Sequence, residues 1–135
     1  MMRLLSLIFA LVMLVALVTA LALEAGGVVT VVTESPAGAN RETRVWFVEH
    51  EGRLYLEAGH PDNPWVKDLA ANPTLTLKGQ ELDGEYRHMR HDSAREHTRI
   101  RELMREKYGW RDAWISLVFD TSRSSLLHLI PLEET

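Results

Sequence analysis

The stretch that decides the fold is residues 43–58, TRVWFVEHEGRLYLEA. Two runs of strand-forming residues, 43–49 and 53–58, flank the short connection HEG, whose Gly52 tolerates the positive φ of a hairpin turn. In the second run leucines alternate with Tyr55 and Glu57, which is typical of a strand with one face in a core. The first run is apolar on both faces, which indicates a strand inside a closed sheet. These residues predict a β-hairpin within such a sheet.

Four further segments around this hairpin have the length and residue types of strands. They are VVTVVT at 28–33, TLTL at 74–77, EYRHMRH at 85–91 and LLHLI at 126–130. The turn-forming sequence ESPAGAN at 34–40 separates the first of them from the hairpin. Six short strands with helices in the connections predict an α+β fold built on a small antiparallel barrel, because closure removes exposed sheet edges.

A short helix is predicted directly after the hairpin. Asn63 stands where a capping residue belongs, and Pro64 suits the first helical position. Trp65 and Leu69 give the segment an apolar side, and the pair Asn72-Pro73 ends it. We therefore expect about two helical turns between the hairpin and the next strand.

A longer helix is predicted from Ser93 to about Tyr108. The sequence SARE at 93–96 has the spacing of a capping box, Asp92 adds negative charge at the start, and Gly109 stops the helix. A third helical segment of a turn or two is expected within 110–120. The apolar stripe of the long helix consists of Ile100, Leu103, Met104 and Tyr108. The charged residues predicted to face solvent are Arg95, Glu96, Arg99, Arg101, Glu102, Arg105 and Glu106.

The N-terminal residues 4–23, LLSLIFALVMLVALVTALAL, contain no charge. Twenty helical residues extend about 30 Å, the thickness of the hydrocarbon core of a bilayer. The segment is longer than the apolar region of most signal peptides, which favours a retained anchor, while ALA at 20–22 leaves cleavage open as the alternative. The expected organisation is an anchor or signal peptide at 1–23, a linker at 24–27 and one domain at 28–135.

The distribution of charge predicts orientation and excludes one class of partner. Arg3 precedes the apolar segment and Glu24 follows it, so the positive-inside rule places the domain on the non-cytoplasmic side, secreted or periplasmic if the leader is removed. Beyond Arg3 the chain is acidic, which argues against nucleic acid as a partner. The absence of cysteine excludes disulfides, thiolate nucleophiles and zinc–thiolate sites.

Several short motifs follow one another in order. They are RETR at 41–44, the hairpin WFVEHEGRLYL at 46–56, GHP at 59–61, NPW at 63–65, LAANP at 69–73 directly before a strand, and MREKYGW at 104–110. In order and spacing they resemble the flavin- or deazaflavin-binding split β-barrel proteins of the pyridoxamine-phosphate-oxidase-like superfamily. Within it they are similar to the deazaflavin-dependent nitroreductase, or nitroreductase/quinone reductase, branch. The resemblance spans residues 28–130.

The resemblance implies a split β-barrel, commonly a homodimer, that binds FMN or a deazaflavin coenzyme and transfers hydride to a nitro compound or a quinone. By position, Arg41 and Arg44 would meet the phosphate-bearing tail and Thr43 would hydrogen-bond to it. The other side of the cofactor would be closed by Gly59, His60, Asn63, Trp65 and Lys67. Because such a cofactor carries the redox chemistry itself, no catalytic acid or base is required.

Two functional hypotheses of different class follow. The first is a membrane-anchored oxidoreductase of this type, favoured by the basic strand entry and the NPW helix start. The second is a non-catalytic split-barrel module tethered to the membrane, which binds a small hydrophobic ligand or no cofactor. The loop ESPAGAN and the expected export favour the second, since the family's loop at this place commonly carries a basic Gly-Arg/Lys-x-Ser-Gly sequence.

Several single residues have plainer interpretations. Trp46 and Trp65 suit core packing as well as ring stacking, and His60 suits a surface loop as well as a ligand. His88 and His91 are three residues apart on a predicted strand, so they point to opposite faces and predict no metal site. The serines at 122–125 have no histidine–acid arrangement near them that would indicate nucleophilic catalysis.

Overall fold

The computed structural model describes residues 1–90 and 93–134. Six strands and four α-helices follow the predicted order, and a short 3₁₀ turn precedes and another follows the last strand. In chain order the elements are α1 (Met2–Glu24), β1 (Val28–Glu34), β2 (Asn40–His50), β3 (Arg53–Ala58), α2 (Pro64–Ala71), β4 (Thr74–Lys78), β5 (Gly84–Arg90), α3 (Ala94–Tyr108), α4 (Trp110–Val118) and β6 (Ser125–Pro131).

The six strands form a closed antiparallel barrel in the order β1-β2-β3-β6-β5-β4. Closure comes from pairing of β4 with β1, where Val31 lies opposite Leu77. The predicted fold class, α+β with a small antiparallel barrel behind an apolar N-terminal helix, is confirmed. β2 begins three residues earlier than predicted because its ladder with β1 continues to the turn, where Asn40 lies opposite Glu34. His91 and Asp92 lie outside the described residues.

Two apolar clusters occupy opposite faces of the barrel wall. On β2, Val45 and Phe47 point into the barrel, whereas Trp46 and Val48 point outward beneath the helices. The inner cluster includes Trp65 and Leu69 of α2, which pack against the barrel residues. The outer cluster joins the barrel to one residue of α1 and to α3 and α4. Burial on both faces explains the unbroken apolar run of β2.

The helix starts differ in how they are capped. Ser93 caps α3 as predicted, since its Oγ accepts a hydrogen bond from the backbone N–H of Glu96. Asn63 occupies the capping position of α2, but the predicted side-chain cap does not form there. Its backbone carbonyl instead accepts hydrogen bonds from Val66 N–H and Lys67 N–H.

The charged face predicted for α3 is wrong at two positions. Arg101 is buried at 8% exposure and Glu96 is half-buried, because both side chains find polar partners on β3. Ile100, Met104 and Tyr108 are buried as predicted. The buried stripe of α3 therefore contains an arginine as well as apolar residues.

The C-terminal end of α1 packs on the domain. Ala22 is completely buried, its carbonyl oxygen accepts a hydrogen bond from Arg111 Nε at 2.7 Å, and Trp114 Nε1 donates to Thr19 Oγ1 at 2.9 Å. The rest of α1 projects away exposed, and it is long and apolar enough to span a membrane or to serve as a signal sequence. The division of the chain at residues 23 and 27 stays a prediction, and the described helix runs through the first of these positions.

Candidate functional site

An open cleft of about 700 Å³ lies beside the barrel wall. Its volume is within the range of small-molecule and cofactor sites. Residues from five parts of the chain line it: the end of α1, the first half of β2, the β3–α2 connection, the facing sides of α3 and α4, and the segment that leads into β6. Only the folded barrel brings these parts together.

The cleft collects most of the residues that the sequence singled out. Seven of the eight predicted cofactor-binding residues line it: Arg41, Thr43, Arg44, Gly59, His60, Asn63 and Trp65. Lys67 is exposed on α2 and is not among the lining residues, so its contact with a cofactor stays a prediction. The loop at 34–40, ESPAGAN, does not line the cleft either. The charge of the cleft therefore does not depend on whether this loop carries a basic residue.

Arg41 is held in place by a buried carboxylate. Asp68 of α2 is 3% exposed, and its Oδ2 accepts hydrogen bonds from Arg41 Nε and from Thr33 Oγ1, both at 2.8 Å. Burial by itself would raise the pKa of the Asp68 carboxyl, but the hydrogen bonds from Arg41 and Thr33 outweigh it and lower the pKa. The remaining N–H groups of the guanidinium have no hydrogen-bond partner in the described part of the chain. They are available to an anionic group in the cleft.

Arg44 is paired with the end of the N-terminal helix. Its Nε forms an ion pair with the Glu24 carboxylate, and both side chains are half exposed. Both residues line the cleft. An anionic ligand at this place would therefore have to share Arg44 with Glu24 or displace it, at the small cost typical of an exposed ion pair.

Two tryptophans contribute to the cleft in different ways. Trp65 is buried in the inner cluster at 3% exposure, so core packing is its main role. Trp46 stacks on Tyr108 with ring centroids 4.2 Å apart and planes 10° apart. Its buried indole Nε1–H has no hydrogen-bond acceptor among residues 1–90 and 93–134. A buried donor without a partner beside a cleft is a feature that a bound ligand would satisfy.

A buried ionic cluster forms one wall of the cleft. Arg101 Nη1 donates to both Glu57 oxygens at 2.6 and 2.7 Å, and Arg101 Nη2 donates to Asp112 Oδ1 at 2.6 Å. Burial raises the pKa of the Glu57 carboxyl, and the neighbouring guanidinium opposes that shift. Desolvation disfavours the charge of Arg101, but the two carboxylates more than compensate and raise its pKa. The cluster links β3, α3 and α4.

This ionic cluster was missed by the sequence analysis, although part of it carried a signal. His97, Arg101, Met104 and Tyr108 follow the i, i+4, i+7, i+11 spacing of one helix face. On that face His97 Nε2 lies 3.0 Å from the carbonyl oxygen of Ser124, and Arg101 meets the carboxylates. The helical spacing alone thus predicts that the Arg101 side chain is buried, whereas its charge predicts that the side chain faces solvent.

The histidines of the described residues do not gather into a metal centre. Within residues 1–90 and 93–134 there is no group of three or more His, Asp or Glu side chains arranged to hold a metal ion. The lining of the cleft is mixed in charge, with four arginines against five acidic residues: Arg41, Arg44, Arg101 and Arg123, and Glu24, Glu42, Glu57, Asp112 and Asp120.

Comparison with known proteins identifies the fold. No family model and no curated protein matches the sequence. Among solved structures, the chain is similar to a putative pyridoxamine 5′-phosphate oxidase from Listeria innocua, with a TM-score of 0.56, 16% identity, and 88% of this chain and 94% of that one covered. It is also similar to a putative 5-nitroimidazole antibiotic resistance protein from Bacteroides thetaiotaomicron (TM-score 0.57, 11% identity, 83% and 76% covered).

A third similar structure is an F₄₂₀ reductase, with a TM-score of 0.50, 13% identity, and 77% of this chain and 85% of that one covered. At these identities the comparisons show the fold alone. They confirm that the chain adopts the split-barrel fold of the pyridoxamine-phosphate-oxidase-like proteins.

Proposed function

We propose that this protein is a membrane-anchored oxidoreductase that binds FMN or a deazaflavin coenzyme in the cleft and reduces a nitro compound or a quinone. The observation that carries the proposal is that residues predicted separately along the sequence, from Arg41 to Trp65, line one cleft. The fold is also shared with an F₄₂₀ reductase and a nitroimidazole resistance protein.

The residues of the cleft fit a planar cofactor with an anionic tail. Arg41 is preoriented by Asp68 and keeps free N–H groups for a phosphate. The start of α2 also lines the cleft, and there the Trp65 N–H is left for an anion, since Pro64 has no N–H and those of Val66 and Lys67 bind the Asn63 carbonyl. Trp46 offers a buried, unpaired N–H donor on the same lining. We propose that these groups hold the tail and the ring system.

The bound cofactor supplies hydride transfer, and the protein supplies position and electrostatics. Arg41, Arg44 and Thr43 bind and orient the tail in this proposal, and the buried Glu57–Arg101–Asp112 cluster keeps that wall of the cleft rigid. Gly59 contributes open space beside the cleft, since a Cβ built there meets no atom within 4 Å. The apolar α1 keeps the domain at the membrane on the non-cytoplasmic side, and a homodimer would follow the pattern of the family.

The test is a titration of the full chain in detergent micelles with FMN and, separately, with the deazaflavin coenzyme, followed by absorption and fluorescence. We expect saturable binding of one of them. A hydrogen bond to a charged group contributes about 1.5–3 kcal/mol, so Arg41→Ala is expected to weaken binding roughly tenfold or more. Arg99→Ala is the matched control, because Arg99 lies on the exposed side of α3 in an ion pair with Glu102. Lys67→Ala tests the one predicted contact that lies outside the cleft lining.

A second candidate is the tethered, non-catalytic split-barrel module. The observation that favours it is the charge of the lining, where acidic residues outnumber arginines and both Arg41 and Arg44 already have acidic partners. This candidate predicts that the folded protein binds neither cofactor, and that it holds a small hydrophobic ligand or none. Failure of both titrations in a protein with native near-ultraviolet circular dichroism would favour it over the oxidoreductase.

A further inference from the structure

Helix α4 exposes large apolar residues and turns both of its charged residues inward, unlike a helix that faces water. Its two charged residues point inward: Asp112 is fully buried, and Arg111 is half-buried against α1 and the rings of Trp46 and Tyr108. Ile115 is buried in the outer cluster and Trp114 is partly buried, but Trp110 and Leu117 point outward and are 59% and 80% exposed. A surface helix normally presents charge to solvent and apolar residues to the core. This arrangement indicates that the outer face of α4 meets a medium other than water.

The apolar surface continues past the end of the helix. Val118 is 42% exposed and Phe119 is 53% exposed, and Phe119 lies on the rim of the cleft together with Leu23 of α1. Contiguous exposed apolar surface on a soluble domain usually marks an interaction site. Trp110, Leu117, Val118 and Phe119 together form this exposed apolar patch.

Contacts with α1 fix the depth of this patch relative to the apolar segment. Trp114 donates to Thr19, which lies four residues, or about 6 Å, before the end of the uncharged stretch at Leu23. Arg111 binds the carbonyl oxygen of Ala22 in the last turn of the same stretch. If residues 4–23 cross a bilayer, α4 is held beside the boundary between hydrocarbon and headgroups, where tryptophan and snorkelling arginine side chains are favoured.

We propose that α4 is a membrane-interface helix, with Trp110 and Leu117 inserted into the bilayer that α1 crosses. The inference rests on the anchoring by α1 included in the proposed function, and it is independent of which cofactor the cleft holds. The domain is then seated on the membrane through two contiguous elements, and it does not hang from a flexible tether. The rim at Leu23 and Phe119 opens at the lipid surface, so molecules dissolved in the membrane have direct access to the cleft.

The experiment uses the absence of cysteine in the native chain. Single cysteines are introduced by Leu117→Cys, Val12→Cys and Glu106→Cys in the full chain, labelled with the fluorophore NBD, and reconstituted into phosphatidylcholine–phosphatidylglycerol vesicles. Glu106 is the matched control, since it is exposed on α3 among charged residues. Lipids that carry a quencher near the headgroup or near the acyl-chain end report depth, and iodide reports contact with water.

We expect the label at 117 to lose most of its emission with the shallow lipid quencher and little with iodide. The label at 12 should respond to the deep quencher, and the label at 106 to iodide alone. A label at 117 that behaves like the label at 106, while the label at 12 is deep, would overturn the inference and leave the anchor intact. A label at 12 that iodide quenches would overturn both the anchor and the inference. Because Leu117 is 80% exposed, its replacement removes no packing contact of the core.

Discussion

Helices α3 and α4 are neighbours in sequence and cover the same outer wall of the barrel, yet they distribute charge in opposite ways. α3 exposes charged residues such as Arg99 and Glu102 and buries Ile100, Met104 and Tyr108 beside one arginine. α4 buries Asp112 and exposes Trp110 and Leu117. The difference indicates that the surroundings of the two helices differ: water for α3, and an apolar phase for α4.

The two helices meet at Asp112 of α4, which lies 2.6 Å from Arg101 and 3.8 Å from Arg105, both of α3. The buried charge of Asp112 therefore depends on α3, whereas Arg101 is also bound by Glu57 of β3. Removal of Arg101 leaves two buried carboxylates without their closest cation, which is far more costly than loss of an exposed pair. Substitutions at this contact and at the exposed faces of the two helices test whether their surroundings differ.

The largest effect is expected from Arg101→Met. This change leaves Glu57 and Asp112 buried without their cation, and breaking a buried pair in this way costs about 3–5 kcal/mol of the free energy of unfolding. Urea unfolding in detergent, followed by near-ultraviolet circular dichroism, measures the loss. Arg99→Met is the control and should change stability by less than about 1 kcal/mol, because its partner Glu102 is exposed. Equal losses in the two variants would show that Arg101 is not part of a buried cluster.

A smaller effect is expected from Tyr108→Phe at the C-terminal end of α3. The Tyr108 hydroxyl donates to Gly27 O at 2.6 Å or Phe47 O at 3.0 Å, and it accepts from Phe47 N–H at 2.9 Å. Its removal deprives Phe47 N–H and Gly27 O of this partner, which costs about 1–3 kcal/mol, while Phe47 O keeps its hydrogen bond from Lys107 Nζ at 2.8 Å. The same urea titration measures this loss. An unchanged midpoint would mean that water replaces the hydroxyl at this place.

The pH dependence of stability should report the same hydroxyl. Burial raises the pKa of Tyr108 to about 12, above its usual value of 10. Because the pKa is higher in the folded state, the neutral hydroxyl stabilises the fold below pH 10. This contribution to the free energy of unfolding, at most about 2.7 kcal/mol, is lost as the pH rises from 10 to about 12. Unfolding midpoints at pH 9 and pH 11 should therefore fall further in the native chain than in Tyr108→Phe. Parallel declines would contradict this assignment.

The smallest effect on stability is expected from Leu117→Ser on the exposed face of α4. Leu117 is 80% exposed, and surface substitutions away from packed contacts change stability by about 0.5 kcal/mol or less. In vesicles, however, iodide should quench an NBD label on the outer face of α4 more strongly in this variant. The label is attached through Trp110→Cys in both chains. Quenching equal to that in the chain with Leu117 intact would show that Leu117 does not contact lipid.

Much of the fold could be predicted because local patterns and tertiary structure agree. Alternation around Tyr55 identified β3, the apolar run at 45–48 indicated a strand covered on both faces, and the Ser93 cap marked the start of α3. The pairing of β4 with β1 and of β3 with β6 was not predictable, since neither is encoded in a single segment. Closure as a barrel was inferred from the general cost of exposed edges.

The candidate site could be predicted only in part. Resemblance to a family identified Arg41, Thr43, Arg44, Gly59, His60, Asn63 and Trp65, and all seven line one cleft. Glu57 and Asp112 were missed because their burial depends on meeting Arg101 across three elements. The contribution of α1 to the cleft was missed as well. Its composition predicts a membrane segment but does not indicate that Leu23 and Glu24 line a cleft.

The most direct test of the proposed function is an anaerobic reoxidation experiment with the full chain in vesicles. The protein is loaded with reduced FMN or reduced deazaflavin coenzyme and mixed with a naphthoquinone or a nitroimidazole, and the cofactor absorbance is followed in time. We expect reoxidation faster than for the free cofactor, retained in Arg99→Ala and slowed in Arg41→Ala because less cofactor is bound. Reoxidation at the rate of the free cofactor, with the cofactor demonstrably bound, would contradict the proposed function.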